Sequence, residues 1–251
     1  MAYRKWNWQQ AKWPQFSYNQ EALKSLEYQF MQANGIALGA FKHVQNDEKD
    51  ELLIEILVNE ALKTSEIEGE YLDRDSVQES IKKNLGLDST KRKLPPAEFG
   101  ISEMMVNLYQ TYDKPLAHDQ LFQWHTMLTN GRRDLVDIGR YRTHEDPMQV
   151  VSGRLDRQTV HYEAPPSKEM KKEMEAFVSW FNEIHQHTKD TMLPLARAGM
   201  AHFYFLAIHP FEDGNGRIAR GLSEKSISLS IQQPALISLS QLIEAKKNDH
   251  Y

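Results

Sequence analysis

Within the twelve residues His209–Arg220, HPFEDGNGRIAR, the chain carries an imidazole, a carboxylate, two guanidinium groups and a Gly-Asn-Gly turn poor in side chains. Gly214–Asn215–Gly216 leads from a loop into the start of an amphipathic helical pattern. Backbone N–H groups at such a start are free, and the helix dipole adds partial positive charge. Successive amides in a turn of this kind can form a nest for an anion. Arg217 and Arg220 lie three residues apart, about one helical turn, so both guanidinium groups can reach the same anion. The ligand this pattern fits is a polyphosphate. A carboxylate at Asp213 would be repelled by bound phosphates unless a cation lay between them, and Mg2+ is the usual one. His209, four residues earlier at the end of an apolar helical run, offers a neutral imidazole that can take a proton from an incoming hydroxyl. Singly, a histidine at a helix end, a glycine turn or an arginine pair is more often structural. In this order they supply base, metal carboxylate, anion nest and charge clamp, the parts of phosphoryl or nucleotidyl transfer.

These residues need rigid elements around them, and helical periodicity dominates the chain. Residues 47–63 open with acids and carry Leu53, Ile56, Leu57, Glu60 and Ala61 at spacings of three and four, which predicts a helix. Further helices are expected from about Asp73–Ser76 to Gly86, over 95–112 behind Pro95–Pro96, and over 118–129. Others should follow Pro165–Pro166, with Met170, Met174, Phe177, Phe181 and Ile184 on one face, and run over 195–208 and 216–229, with a last one after Pro234. Between Gly139 and Ala164, MQVVS and TVHYEA are β-prone runs separated by GRLDRQ, a hairpin signal. The fold class is therefore mostly α with one β-hairpin. Trp6, Trp8 and Trp13 read as packing anchors for an N-terminal arm, which continues as an amphipathic run through Leu23, Leu26, Phe30 and Met31. The basic run Lys91–Arg92–Lys93 reads as a solvated loop.

A second cluster lies upstream. In TSEIEG, residues 64–69, Thr64 and Glu68 are four apart and share a helix face. Gly69 can end that helix in a left-handed conformation, and a glutamate there can pair with an arginine.

Composition narrows the possibilities. The chain has 251 residues, 40% of them hydrophobic and 26% charged, with a net charge of −5. That balance gives no general attraction for nucleic acid. Cysteine is absent, which excludes disulfides, thiolate catalysis and sulfur-bound zinc. The first residues, MAYRKWNWQQAKW, lack the apolar segment of a secretory signal. The longest apolar stretch, around Met200–Phe211, is broken by His202 and His209 and is too short to span a bilayer. A cytoplasmic protein is expected.

HPFEDGNGRIAR matches the motif HxFx(D/E)GNGRxxR without departure, and from about residue 47 onward the chain resembles Fic-domain proteins. The tryptophan-bearing N-terminal segment resembles one found in bacterial Fic proteins. The resemblance implies a helical core that moves AMP from ATP to a Ser, Thr or Tyr hydroxyl of a protein. It makes His209 the base, Asp213 the Mg2+ ligand, and Phe211 a core anchor for the loop. The amides of Gly214–Gly216, with Asn215, would hold the α- and β-phosphates, and Arg217 and Arg220 the β/γ-phosphates. Phosphate-transferring relatives carry Lys where this chain has Gly216, so nucleotide transfer is the implied chemistry. Residues 64–69 are similar to the family's inhibitory pattern (S/T)xxxE(G/N). That resemblance implies that Glu68 pairs with Arg220, with Thr64 supporting the helix and Gly69 ending it. The hairpin would be the family's flap, lining up a target segment by strand addition, with Val150 and Val151 as candidate edge residues.

The expected organisation is a Trp-rich arm over 1–45, helices including the inhibitory one over 46–94, and a catalytic core over 95–251. The chain ends at Tyr251 where some relatives continue, so a C-terminal truncation is also an expectation. The expected function is an autoinhibited protein adenylyltransferase using ATP and Mg2+, its targets possibly including itself. The alternatives are a phosphodiesterase that removes AMP with the help of Glu68, and a nucleotide-binding regulatory module without turnover. Target, nucleobase and oligomeric state are not fixed by the sequence.

Overall fold

Acidic first turns, proline entries and glycine exits mark out the helices of the computed structural model, which describes residues 5–87, 93–154, 157–185 and 192–246. The described helices are α1 (Gln20–His43), α2 (Asn46–Ile67), α3 (Arg74–Asn84), α4 (Pro96–Gln110), α5 (His118–Leu128), α6 (Met170–Asn182), α7 (Pro194–Ile208), α8 (Asn215–Ile231) and α9 (Leu239–Ala245). Asp73 caps α3 by accepting from the Ser76 N–H at 2.9 Å, and Gly86 follows its end at φ +76°. Pro96 and Pro194 begin α4 and α7 where no intrahelical N–H is needed.

One apolar core joins these helices. Leu57, Val58 and Ala61 of α2 meet Met104 of α4, Trp124 of α5, Phe177 of α6, Phe205 of α7 and Ile218 of α8, all of them buried. The expected face of α6 is buried as well, and Ile184 beyond its end joins the protected residues. Strands β1 (Gln149–Arg154) and β2 (Arg157–Glu163) form an antiparallel pair. Val150 faces Tyr162 and Val151 faces Val160, with a register shift between them. Among the described residues no helix is long and apolar enough to cross a membrane.

Helix α2 runs past the periodic stretch to Ile67, with Gly69 beyond its end at φ +82°, in line with the helix expected through Thr64 and Glu68, and so carries Thr64 toward the catalytic loop. One feature differs from the sequence reading. Helix α1 turns inward through Glu27, Asn34 and Leu38, whereas Leu26 and Met31 are 56% and 41% exposed. The reason is polar: the buried Glu27 carboxylate accepts from the Leu195 N–H at 3.0 Å and so caps the start of α7. An apolar pattern does not reveal such a contact. The tryptophans do act as anchors. Trp13 donates to Glu173 at 2.9 Å and packs edge-on against Tyr204. Trp8 donates to the Glu163 carbonyl at 2.8 Å, and Trp6 meets Tyr162, holding the base of the hairpin. Lys91 and Arg92 of the basic run lie outside the described residues.

Candidate active site

Helix α7 ends at His209, whose φ of 52° and ψ of 60° are left-handed. For a residue with a Cβ this costs about 1–2 kcal/mol, so neighbours must hold it. Arg142, buried, does so: its Nε donates to the His209 carbonyl at 2.8 Å and its backbone N–H to the Pro210 carbonyl at 2.9 Å. Its remaining donors reach Ser167 Oγ at 2.7 Å and the Pro165 carbonyl. Burial pushes the His209 pKa below its ordinary 6.5, opposed by a hydrogen bond with the Leu206 backbone. The ring is therefore uncharged at neutral pH, the state a proton acceptor needs.

The loop after His209 is closed on itself. Asn215 Oδ1 accepts from the Phe211 N–H at 3.0 Å, and its Nδ2 donates to the Phe211 carbonyl at 2.8 Å. Asn215 is 3% exposed, so its side chain is committed to the loop and its backbone amide is what it can offer an anion. Phe211 is fully buried and stacks on His125 at 4.2 Å. His125 accepts from the Gly139 N–H at 3.1 Å, and burial lowers its pKa to about 4. Gly214, at φ +77°, opens α8, and no side chain of its own segment caps that start. The ladder begins with the Ile218 N–H on the Gly214 carbonyl at 3.0 Å, which leaves the Asn215, Gly216 and Arg217 amides ahead of it.

Asp213 stands beside this helix start. Its Oδ1 accepts from the Gly214 N–H at 2.6 Å and its Oδ2 from Arg132 Nη1 at 2.5 Å. Burial alone would raise its pKa, but these contacts hold it below the ordinary carboxylate value, so it is ionised. Among the described residues no cluster of three or more metal-ligating side chains exists. A single ionised carboxylate, 37% exposed at the mouth of the nest, suits Mg2+, which commonly takes one or two carboxylates together with phosphate oxygens and water.

Both arginines are buried and both are met by acids from the end of α2. Arg220 donates through Nε to Thr64 Oγ1 at 2.7 Å, and through Nη2 to the Thr64 carbonyl at 2.9 Å and Glu68 Oε1 at 2.7 Å. Arg217 Nη1 donates to Glu70 Oε2 at 2.6 Å. The Glu68 carboxylate lies directly over Gly216: a Cβ added there would sit 2.1 Å from Glu68 Oε1. No other residue type fits position 216 while Glu68 holds this place. A carboxylate from just beyond the end of α2 thus lies against the uncapped start of α8, where the helix dipole favours negative charge.

Residues 115–225 match the Fic/DOC family. The chain contains a Fic domain. Residues 6–87 match a domain of unknown function, DUF4172. The sequence is 33% identical over 102 residues to protein adenylyltransferase fic-1 of Caenorhabditis elegans, covering 41% of this chain and 17% of that protein. It is 28% identical over 120 residues to protein adenylyltransferase Fic of Nematostella vectensis, covering 47% and 26% of the two chains. The chain therefore spans about a quarter or less of the length of these curated relatives. A Fic family protein from Desulfovibrio desulfuricans shares the fold, with a TM-score of 0.62 at 21% identity over 93% of this chain and 65% of that one.

The structure brings His209, Asp213, Gly214–Gly216, Arg217 and Arg220 of the Fic-matching region together with Thr64, Glu68 and Gly69 of the preceding one around one loop. Val150 and Val151 lie on the hairpin, 48% and 40% exposed; Tyr162 on the facing strand donates to the Ala207 carbonyl at 2.7 Å, just before His209. Sequence reasoning missed Arg132, Arg142 and Glu70. The first two reach the catalytic loop across 81 and 67 residues of chain, and no local pattern announces them. Glu70 had a readable signal, an acid placed beyond a helix C-terminus where the dipole disfavours it.

Proposed function

We propose that this protein is an autoinhibited, cytoplasmic protein adenylyltransferase that moves AMP from ATP to a Ser, Thr or Tyr hydroxyl of a protein target, itself included. The observation that carries this reading is the Glu68 carboxylate lying on Gly216 and paired with Arg220 at 2.7 Å. A site that draws a carboxylate onto an uncapped helix start and a buried guanidinium is built for an anion, and here a segment of the same chain fills it.

With that segment withdrawn, the amides of Gly214–Gly216 cradle the inner phosphates, and Arg217 and Arg220 hold the β/γ end. His209, uncharged and fixed by Arg142, takes the proton of the target hydroxyl as its oxygen bonds to the α-phosphorus. The bond from that phosphorus to the pyrophosphate oxygen breaks on the opposite side. Asp213 would hold Mg2+, which supplies neutralisation of phosphate charge when bound. The exposed edge of β1 at Val150 and Val151 lines up the target segment by strand addition. While Glu68 occupies Arg220, the end of the triphosphate lacks one arm of its clamp and the α-phosphorus is out of line for attack.

The test is incubation with Mg2+ and ATP labelled at the α-phosphate. Label should enter the protein, more in Glu68→Gly than in wild type, and should be absent from His209→Ala although that variant still binds nucleotide. Label absent from every form, or retained in His209→Ala, would overturn the reading. Faster loss of AMP from a labelled protein with Glu68 than with Gly would assign Glu68 to the reverse reaction instead.

A further inference from the structure

The inhibitory pattern ends at Gly69, yet the next residue reaches the site as well. Glu70 Oε2 accepts from Arg217 Nη1 at 2.6 Å. The two pairs are alike in setting: Arg217 and Arg220 side chains are 5% and 6% exposed, and Glu70 and Glu68 are 37% and 38% exposed. We infer that Glu70 is a second gate on the triphosphate end of the site, engaging Arg217 as Glu68 engages Arg220. This inference rests on the nucleotide-transfer reading above.

Local structure explains why one turn delivers both acids. Gly69 takes φ +82°. The Glu70 N–H closes on the Ser65 carbonyl at 2.9 Å, and the Gly69 N–H on the Glu66 carbonyl at 2.9 Å. This double closure reverses the chain at a helix C-terminus, so residues 68 and 70 flank the glycine. The placement does not serve α2 itself. The C-terminal end of a helix carries partial negative charge and favours cations, whereas the last turn of α2 contains no basic residue and is followed by two acids. Their compensation comes from α8.

Arg217 is also incompletely used. Its Nε is buried without a hydrogen-bond partner among the described residues. Asp213 Oδ1 stands 3.9 Å from Nη2, an ionic neighbour beyond hydrogen-bond distance. A buried guanidinium with an open donor can take a phosphate oxygen, and the Glu70 carboxylate competes for the same group by charge and by position. The backbone amides of the nest are touched by neither Arg217 pairing nor Glu70. The gate therefore acts on the outer phosphates, and a nucleoside monophosphate, held by the nest alone, escapes it.

That asymmetry provides the test. Affinities for ATP with Mg2+ and for AMP are measured by calorimetry on the full chain in a His209→Ala background, which prevents turnover. The panel carries Glu70→Gln, Glu70→Ala, Glu68→Gly and each combination with Glu68→Gly. Glu70→Gln keeps the shape of the side chain and removes its charge. It should tighten ATP roughly tenfold beyond Glu68→Gly alone, on the scale of one charge-assisted contact, and leave AMP unchanged. ATP affinity unmoved by both Glu70 variants, or ATP and AMP weakened together, would overturn the gate. Failure of the underlying reading looks different: ATP would then bind no more tightly to Glu68→Gly than to the background.

Discussion

The loop from His209 to Arg220 and the turn from Thr64 to Glu70 face each other, but they are held in different ways. The loop is fixed by its own neighbourhood: Asn215 binds both polar groups of the Phe211 backbone, Phe211 is fully buried, and Arg142 holds the His209 carbonyl. The turn meets the loop through polar pairs, Thr64 and Glu68 on Arg220 and Glu70 on Arg217, whose carboxylates are partly exposed. Buried packing gives a geometry that must be built once. Half-exposed ion pairs are weaker and can be exchanged for another anion. The proposed catalytic device is therefore in the rigid region, and the proposed brake in the one that can let go.

The sharpest way to break this contrast is at His209. Its replacement by Ala should abolish detectable transfer, a loss of at least about two to four orders of magnitude, with nucleotide affinity and thermal midpoint nearly unchanged. Parallel loss of folding would make His209 a structural residue. Next comes Asn215→Ala, which leaves the Phe211 N–H and carbonyl unpaired in the interior. A loss of roughly 2–6 kcal/mol in urea unfolding is expected, at about 1–3 kcal/mol for each of the two orphaned groups, whereas Glu70→Gln should cost under about 1 kcal/mol. Comparable losses would erase the distinction between the two regions.

Thr64→Val sharpens it from the other side. The substitution keeps the volume and removes the acceptor for Arg220 Nε, at about 1 kcal/mol, so incorporation of AMP should rise severalfold while remaining below that of Glu68→Gly. The smallest effect is on pH. Burial disfavours the charged imidazole, so the pKa of His209 lies below 6.5 and the base form persists into mild acid. Transfer by Glu68→Gly should be level through neutral pH and reach half its plateau only below 6.5; a midpoint above 7 would contradict the burial of the ring.

Much of the fold was legible because local signals agreed with it. Proline entries, the Asp73 cap and glycine exits bounded the helices, and two β-prone runs either side of GRLDRQ flagged the hairpin. What periodicity could not supply were polar contacts between distant segments. The buried face of α1 was misread because Glu27 turns inward to the Leu195 amide. At the site, the twelve-residue run announced itself by the density of its functional groups. The meeting of Glu68 with Arg220 could be anticipated only through family resemblance, since 152 residues separate them. Asn215 was grouped with the phosphate-holding amides, and only coordinates reveal that its side chain is turned into the loop.

The central claim is that the turn of α2 stands where the outer phosphates of ATP belong. A crystal structure of the Glu68→Gly, His209→Ala double variant with ATP and Mg2+ tests it most directly. The account predicts the triphosphate lying over Gly216, its outer end on Arg217 and Arg220 and its α-phosphorus turned toward position 209. Nucleotide bound elsewhere, or side chains closing over Gly216 with both arginines unengaged, would contradict it.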